Sequence, residues 1–268
     1  SMRRITTFNG EDMTLSEAVA RIVNAQINEL VERCVKINET RHYYDIAMIG
    51  YGTEAYSAWN GNLEGRDFVT PEEIRANPYQ KKMVKEEKRT RKGIVFKEVE
   101  NKQWMVARHD GSWTRMDKAF KRAEGLLENW MKEHHDKDCY PPTIINITDG
   151  EYNGTSYDEM QQLANQLKSM FTNDGNVLLF NIHVVPEHAE SVVFPATADE
   201  LNGNGYGKKL YEMSSLLPLN YNEQIRNIFG DKQADIRYHA MGVNTGMERL
   251  VKMMKIGTLS RMLANQNP

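Results

Sequence analysis

Residues 139–156, CYPPTIINITDGEYNGTS, carry a short apolar run directly before an aspartate and a glycine. The run at 144–147 is rich in β-branched residues, which indicates a strand that is buried on both faces. Asp149 and Gly150, which follow it, form a common turn pair. They also suit a ligand site, because open α/β sheets bind ligands at the carboxyl ends of their strands. Both interpretations of Asp149 remain open from this segment alone.

The composition is that of an ordinary globular protein, with 40% hydrophobic and 26% charged residues in a chain of 268. This length suits one large α/β domain or two small ones. A net charge of −3 gives the chain as a whole no case for binding nucleic acid or an anionic membrane. No apolar run has the length of a membrane span, and no signal peptide is visible. Cys34 and Cys139 lack metal-site spacing, so we expect two free thiols in the cytoplasm, with a single disulfide as the alternative.

Apolar residues at helical spacing predict two long helices, over residues 14–38 and 113–135. The first begins at a capping box made by Thr14 and Glu17. Long apolar strands alternate with these helices, which predicts a doubly wound, mostly parallel α/β sheet in a single domain over residues 1–268. The predicted strands lie at 43–52, 144–147, 176–185 and 236–242, and the further helices at 157–171, 207–217, 221–229 and 246–255.

Residues 80–110 are predicted to be an insertion into this scheme. The run 80–92 is strongly charged with a basic bias, which is typical of a solvated helix face. The apolar segments on either side of Asn101 then predict a β-hairpin. The charged helix and the hairpin together would form the insertion.

The pattern GYGTEA at residues 50–55 resembles a dinucleotide-binding fingerprint. That fingerprint requires a crossover helix and then a second strand that ends in an acidic residue, and neither follows here. The two glycines are better explained by a turn at the end of a strand.

Thr114 lies where the second long helix is predicted to begin, in the segment DGSWTRMDKAF at residues 110–120. In a parallel sheet, the loop that enters this helix lies at the same edge as the end of a strand. We therefore expect the Thr114 hydroxyl and the Asp149 carboxylate to converge. Hard oxygen ligands of this kind suit Mg²⁺, which keeps several of its waters and needs few protein groups.

Three segments give the chain a resemblance to the von Willebrand factor type A (vWA) domain of intracellular bacterial proteins: GSWTRM before the long helix, PPTIINITDGE on the next strand and LLFNIHVV on the one after. The resemblance covers nearly the whole chain, including MSSLLP and MGVNTGMERLVKMMKIGT in its closing part. It implies a Rossmann-like fold with a metal-ion-dependent adhesion site, which combines an Asp-x-Ser-x-Ser loop with a threonine and an aspartate. Thr114 and Asp149 match that threonine and that aspartate. Ser112, Trp113 and Arg115 depart from the Gly-Gly-Thr-Pro-Met that bacterial members often carry there.

The resemblance also implies that the first metal-binding loop is incomplete in this chain. Ser1 and Met2 match the end of an Asp-x-Ser-Gly-Ser-Met motif, although a cloning remnant is the alternative explanation. Ser1 is thus the one ligand expected from this loop, because the aspartate and the first serine are absent from the 268 residues. We expect a truncated first strand, and weak or undetectable metal binding by the chain alone.

The function that the resemblance implies is a cytoplasmic protein-interaction module rather than an enzyme. Mg²⁺, or Mn²⁺ or Ca²⁺ in its place, would be held by Ser1, Thr114 and Asp149. The vacant position of the metal would take an Asp or Glu side chain of a partner protein, and neither nucleic acid nor a membrane is an expected partner. Two alternatives are a Mg²⁺-assisted hydrolase or phosphoryl-transfer enzyme that uses Asp149 and Glu151, and a scaffold whose metal site has degenerated.

Overall fold

The structure is a computed structural model of the chain. It describes residues 2–37, 39–90, 93–108, 113–186, 190–230 and 232–258, with the backbone alone at 87–90. Within these residues the protein is mixed α/β, with seven α-helices, a four-stranded mixed sheet and several two-stranded antiparallel sheets.

The helices begin at side-chain caps where the sequence offers them. Those described are α1 (Leu15–Cys34), α2 (Pro71–Ala76), α3 (Met116–Glu133), α4 (Tyr157–Ser169), α5 (Gly205–Met213), α6 (Asn222–Phe229) and α7 (Met247–Gly257). Thr14 caps α1 and Ser156 caps α4, each in a capping box with the glutamate three residues later. The two long helices predicted at 14–38 and 113–135 are confirmed as α1 and α3, with shorter bounds.

The first ten strands pair in twos. They are β1 (Ile5–Phe8), β2 (Glu11–Thr14), β3 (Val35–Lys36), β4 (Glu39–Thr40), β5 (Ile46–Ala47), β6 (Ile49–Tyr51), β7 (Ala55–Ser57), β8 (Phe68–Val69), β9 (Gln80–Thr90) and β10 (Gly93–Gln103). The antiparallel pairs are β1 with β2, β3 with β4, β5 with β8, β6 with β7, and β9 with β10. Most of these pairs therefore join strands that are neighbours along the chain.

Four of the six later strands form the one sheet of more than two strands in the described part of the chain. The six are β11 (Thr143–Thr148), β12 (Phe171–Thr172), β13 (Gly175–Asn176), β14 (Leu178–Val184), β15 (Val192–Val193) and β16 (Met241–Thr245), of which β12 and β13 form a separate hairpin. The sheet has the order β11-β14-β16-β15, in which the first three strands are parallel and β15 is antiparallel. The strands predicted at 144–147 and 176–185 are confirmed as parallel neighbours, and the doubly wound arrangement stays a prediction.

The predicted strand at 43–52 does not join this sheet, so that part of the prediction was wrong. The segment forms β5 and β6, which are half-buried and pair antiparallel with β8 and β7. β6 turns back on itself through residues 52–54 to reach β7. Closing such a short loop costs little entropy. A strand that is close along the chain can therefore provide the backbone hydrogen bonds of an apolar run, and no crossover helix is needed.

The charged helix predicted at 80–92 was also wrong, because residues 80–90 are the first strand of a hairpin with β10. The hairpin itself was predicted with the wrong strands, on either side of Asn101. In the register found, Lys97 lies opposite Glu86, and Lys81 Nζ is 3.5 Å from the Glu100 carboxylate. Opposite charges can pair across two strands as well as along one face of a helix. The charged composition of this run therefore could not distinguish a strand from a helix.

The chain divides into two compact units, unit 1 (Ser1–Gly111) and unit 2 (Ser112–Pro268). Unit 1 has a core around Trp59 and Trp104, both fully buried. Unit 2 has a core around the four-stranded sheet, where the Phe180 and Phe194 rings meet edge to face at 6.4 Å between centroids. Two compact units can belong to one domain or to two, so the single domain over residues 1–268 stays a prediction.

Candidate functional site

The candidate site lies in unit 2, at the carboxyl edge of the parallel strands. Asp149 directly follows the last residue of β11, and its residue exposure is only 6%. The parallel strands β14 and β16 end at Val184 and Thr245, so their carboxyl ends face the same edge. Open α/β sheets bind their ligands at this edge.

The turn after β11 is held by three hydrogen bonds that converge on Gly150. The Thr148 hydroxyl donates to the Gly150 carbonyl at 2.8 Å and accepts from the Gly150 N–H at 3.4 Å. The Tyr206 hydroxyl, from α5, donates to the same carbonyl at 2.7 Å. A carbonyl with two donors is fixed in direction, and this fixes the path of the backbone that carries Asp149.

Thr114 lies beside the loop that Asp149 begins. The Thr114 N–H donates to the Asn153 side-chain carbonyl at 2.9 Å, and the Asn153 N–H donates to the Thr114 carbonyl at 3.1 Å. These two reciprocal bonds tie the segment before α3 to the loop after β11. The structure therefore brings the threonine and the loop of the aspartate to one edge of the sheet. Ser1 lies outside the described residues, and a shared cation stays a prediction.

Arg115, next to the threonine, binds the carboxylate of Asp117. Its Nε and Nη2 donate to the two carboxylate oxygens at 2.8 Å and 2.7 Å. The hydrogen bond from Arg115 is the largest effect that lowers the pKa of Asp117, although burial opposes it. Gly154, at φ +76°, leaves room for this arginine, because a Cβ there would lie 2.7 Å from Arg115 Cδ. The Asp117 carboxylate is therefore already paired with the Arg115 guanidinium.

Glu151 is exposed, and its carboxylate lies 3.3 Å from Lys209 Nζ of α5. Beside it, burial raises the pKa of the Tyr152 hydroxyl, and the charge of Glu151 adds to the effect. The alternative enzyme needs Glu151 as a second acidic group close to Asp149. The ion pair with Lys209 gives this alternative no support.

Two residues beyond the predicted set shape the edge, Asn153 and Tyr206. Asn153 stands in an Asn-Gly pair, which the sequence marks only as a turn. Tyr206 comes from a helix more than fifty residues away from Gly150, so no local signal connects it to the turn. Its ring also meets His183 of β14 edge to face at 5.3 Å, and His183 Nδ1 accepts from the Asn244 N–H at 3.3 Å.

The donors present fit Mg²⁺ in kind. A carboxylate and a hydroxyl are hard oxygen ligands, and Mg²⁺ binds through few protein groups while it keeps several waters. Among the described residues, no three His, Cys, Asp or Glu side chains group so that they could hold a metal ion. A cation at Thr114 and Asp149 would therefore depend on water, on a partner and on further donors.

Comparison with protein-family models, with curated proteins and with solved structures finds no match to this chain. In the part of the chain that the structure describes, no helix has both the length and the apolar character needed to cross a membrane.

Proposed function

We propose that this chain is a metal-ion-dependent protein-interaction module with a vWA-like fold, in which Mg²⁺ at Thr114 and Asp149 binds an acidic side chain of a partner protein. One observation carries the proposal. The reciprocal hydrogen bonds between Thr114 and Asn153 hold the threonine against the loop that Asp149 begins. Such a pairing of two loops supports a site in which a hydroxyl and a carboxylate would meet at one sheet edge before any cation binds.

The charges around the site support a binding role. Asp117 is paired with Arg115 and Glu151 with Lys209, so neither of these two nearby carboxylates adds an uncompensated charge beside Asp149. A cation held with little protein charge keeps a strong attraction for an incoming carboxylate. The resulting charge-assisted bond would give the partner's Asp or Glu its affinity.

The arrangement of unit 2 supports the vWA-like fold. The parallel strands β11, β14 and β16 are neighbours in that order, and β11 is one of the two edge strands of the described sheet. The resemblance requires one more parallel strand, which would carry the Asp-x-Ser-x-Ser loop and would pair with β11. We propose that this strand completes both the sheet and the set of metal ligands.

The first prediction concerns metal binding, measured by isothermal titration of Mg²⁺ into two chains. The 268 residues alone should bind weakly or undetectably, because Thr114 and Asp149 are the only two protein ligands proposed among the described residues. A chain to which a strand with an Asp-x-Ser-x-Ser loop is added ahead of Met2 should bind Mg²⁺ and a glutamate-containing partner peptide. Asp149→Ala in that chain should weaken Mg²⁺ binding by at least about tenfold, since even residues that only support a ligand contribute that much.

The matched control is Glu151→Ala in the same longer chain. Glu151 is exposed and paired with Lys209, so its removal should leave Mg²⁺ affinity nearly unchanged. Tight binding by the short chain that Asp149→Ala does not weaken would place the metal elsewhere and refute the proposal. Hydrolysis of a generic phosphate ester that is lost in both variants would favour the enzyme instead.

A further inference from the structure

His239 lies in the segment between α6 and β16, and its backbone is fixed from two sides. Its N–H donates to the Pro195 carbonyl at 2.9 Å, and the N–H of the next residue, Ala240, donates to the Ser215 carbonyl at 2.8 Å. His239 also forms an antiparallel β-bridge with Leu216. The backbone that carries the imidazole is therefore held by contacts that do not involve the ring.

The imidazole of His239 packs against the C-terminal end of α5. Its ring stacks on the Tyr211 ring, with 3.7 Å between the centroids and 25° between the planes. The Nδ1 atom is buried and has no hydrogen-bond partner among the described residues. The Tyr211 hydroxyl donates to the Ala196 carbonyl at 3.1 Å. The stack therefore joins the end of α5 to the fixed backbone of His239 through a ring whose buried nitrogen is unpaired.

Two cations lie near the His239 ring, Lys168 of α4 and Arg237 of the same segment. Lys168 Nζ donates to the Glu212 carbonyl, at the end of α5, at 3.1 Å. Arg237 Nε donates to the Leu217 carbonyl at 3.1 Å. A proton on the imidazole would add a third positive charge to this group, and both cations would repel it.

The acidic side chains near this end of α5 have other contacts. The Glu212 carboxylate accepts a hydrogen bond from the Tyr157 hydroxyl. Asp199 and Glu200 face the hydroxyl of Tyr211, where burial raises the pKa of the phenol and the two charges raise it further. The Glu200 carboxylate accepts from two backbone N–H groups, at 2.7 Å and 3.1 Å. Glu200 and Glu212 would each have to give up a donor to pair with a charged imidazole.

The surroundings of His239 favour its neutral form. Burial lowers the pKa of the imidazole below its ordinary value and outweighs the carbonyl groups of Tyr211 and Ser214, which favour the charged form. Lys168 and Arg237 lower the pKa further. A histidine whose pKa is lower in the folded chain stabilises the fold above about pH 6.5, the pKa of an unfolded chain. This stabilisation is lost as the pH falls through the lower, folded-state pKa.

We propose that His239 is a pH-sensitive latch, which holds the C-terminal end of α5 while its imidazole is neutral and releases it when the imidazole takes up a proton. Because backbone contacts hold His239, the imidazolium escapes burial by parting from Tyr211, and the end of α5 loses its stacking contact. The same helix carries Tyr206, whose hydroxyl donates to the Gly150 carbonyl at 2.7 Å. Acid therefore loosens the helix that fixes the turn after β11, whether or not a cation binds there.

Titration of the His239 imidazole by NMR tests the charge environment. In the 268-residue chain the midpoint should lie below about pH 6.5, and the resonance is identified as the one that His239→Phe lacks. Arg237→Gln removes one of the two nearby cations, so it should raise the midpoint. A wild-type midpoint at or above about pH 6.5, or a midpoint that Arg237→Gln does not raise, would refute the latch.

Hydrogen exchange tests the release of α5. In the 268-residue chain, the protection factors of the amides at 209–214 should fall between about pH 7.5 and about pH 5.5, by up to about tenfold per pH unit. His239→Phe keeps a ring on Tyr211 that cannot take up a proton. The fall should therefore be at least about threefold smaller in this variant.

The control is His135→Gln, at an exposed histidine that follows α3. An exposed imidazole is hydrated in the folded and the unfolded chain alike, so this variant should show the same fall as the wild-type chain. His239→Gln, which is also neutral, is measured beside His239→Phe in case the phenyl ring disturbs the fold. A full fall that persists in both His239 variants, or a fall that His135→Gln abolishes, contradicts the latch.

Discussion

The parallel sheet of unit 2 and the strand pairs of unit 1 are built on opposite principles. In unit 2, β11, β14 and β16 lie far apart along the chain, and helices occupy the intervals between them. In unit 1, most strands pair with the next strand along the chain. Parallel pairing needs a crossover and buries both faces of a strand, whereas a hairpin needs only a turn. A strand of the first kind therefore has a stronger sequence pattern than one of the second kind.

The two units also satisfy their buried polar groups differently. In unit 1, the four hydrogen bonds that the described residues give the Asn24 side chain of α1 all go to backbone groups. In unit 2, the Asn146 amide donates to Asn181 on the next strand at 2.9 Å, and the Asn181 amide donates to the Ser214 hydroxyl at 3.0 Å. When a side chain that hydrogen-bonds backbone groups is replaced, those peptide groups lose their partners. When one side chain of a hydrogen-bonded network is replaced, the remaining side chains keep part of their hydrogen bonds.

The largest effect is expected at Asn24. Its Oδ1 accepts from the N–H groups of Trp104 at 2.7 Å and Met105 at 3.2 Å, and its Nδ2 donates to Met105 O and Ala20 O. Asn24→Leu leaves two backbone N–H groups without a partner in a buried place, so we expect the free energy of unfolding to fall by about 4 kcal/mol. Urea denaturation followed by tryptophan fluorescence measures this loss.

Asn28→Leu, one turn further along α1, is the control for Asn24→Leu. Asn28 Oδ1 is buried with no hydrogen-bond partner among the described residues, so its replacement should change the unfolding free energy by less than about 0.5 kcal/mol. A similar loss in both variants would show that any leucine on this face is harmful. The hydrogen bonds of Asn24 to the backbone would then not explain its larger expected effect.

A smaller loss, of about 2–3 kcal/mol, is expected for Asn181→Leu in unit 2. The change breaks the bonds to Asn146 and Ser214, but the Ser214 hydroxyl keeps its bond to the Leu210 carbonyl at 2.6 Å. Because Asn146 and Asn181 bond each other, the double variant with Asn146→Leu should cost less than the two single losses added together. Additive losses in the double-mutant cycle would contradict a shared network.

The smallest effect has the opposite sign. The Thr245 side chain is fully buried at the end of β16, and its hydroxyl has no hydrogen-bond partner among the described residues. Thr245→Val removes a buried polar atom and keeps the shape, so we expect the free energy of unfolding to rise by about 1 kcal/mol.

Thr148→Val, at the end of β11, is the matched control for Thr245→Val. The Thr148 hydroxyl bonds Gly150 in both directions, so the same substitution should lower the unfolding free energy by about 1 kcal/mol. Changes of the same sign at both strand ends, measured by denaturation in parallel, would mean that the hydrogen bonds do not decide the difference.

For the strands, the sequence-based predictions were more accurate in unit 2 than in unit 1, whereas a long helix was predicted correctly in each unit. The helices α1 and α3 and the strands β11 and β14 were predicted because their apolar patterns are local and strong, and α1 also begins at a capping box. The segment 43–52 was placed in the wrong sheet, because an apolar run does not specify its partner strand. The run 80–92 was assigned to a helix, because mixed charge suits helical and cross-strand pairs equally.

The candidate site was predictable only in part. Thr114 and Asp149 stand at a predicted helix start and a predicted strand end, and parallel strands bring such positions to one edge. The bonds from Asn153 to Thr114 and from Tyr206 to Gly150 were not predictable, because they join segments far apart along the chain.

The amino-acid sequence by itself determined the local features of this protein. Capping boxes, turn pairs and apolar periods act over a few residues, so Thr14 starts a helix and Asp149 ends a strand wherever those segments lie. The tertiary structure alone decided which strands pair and which distant cation a carboxylate acquires, as Glu151 does with Lys209. The reason is physical: a strand edge or a charge can be satisfied by many partners, and only the packing of the whole chain selects one of them.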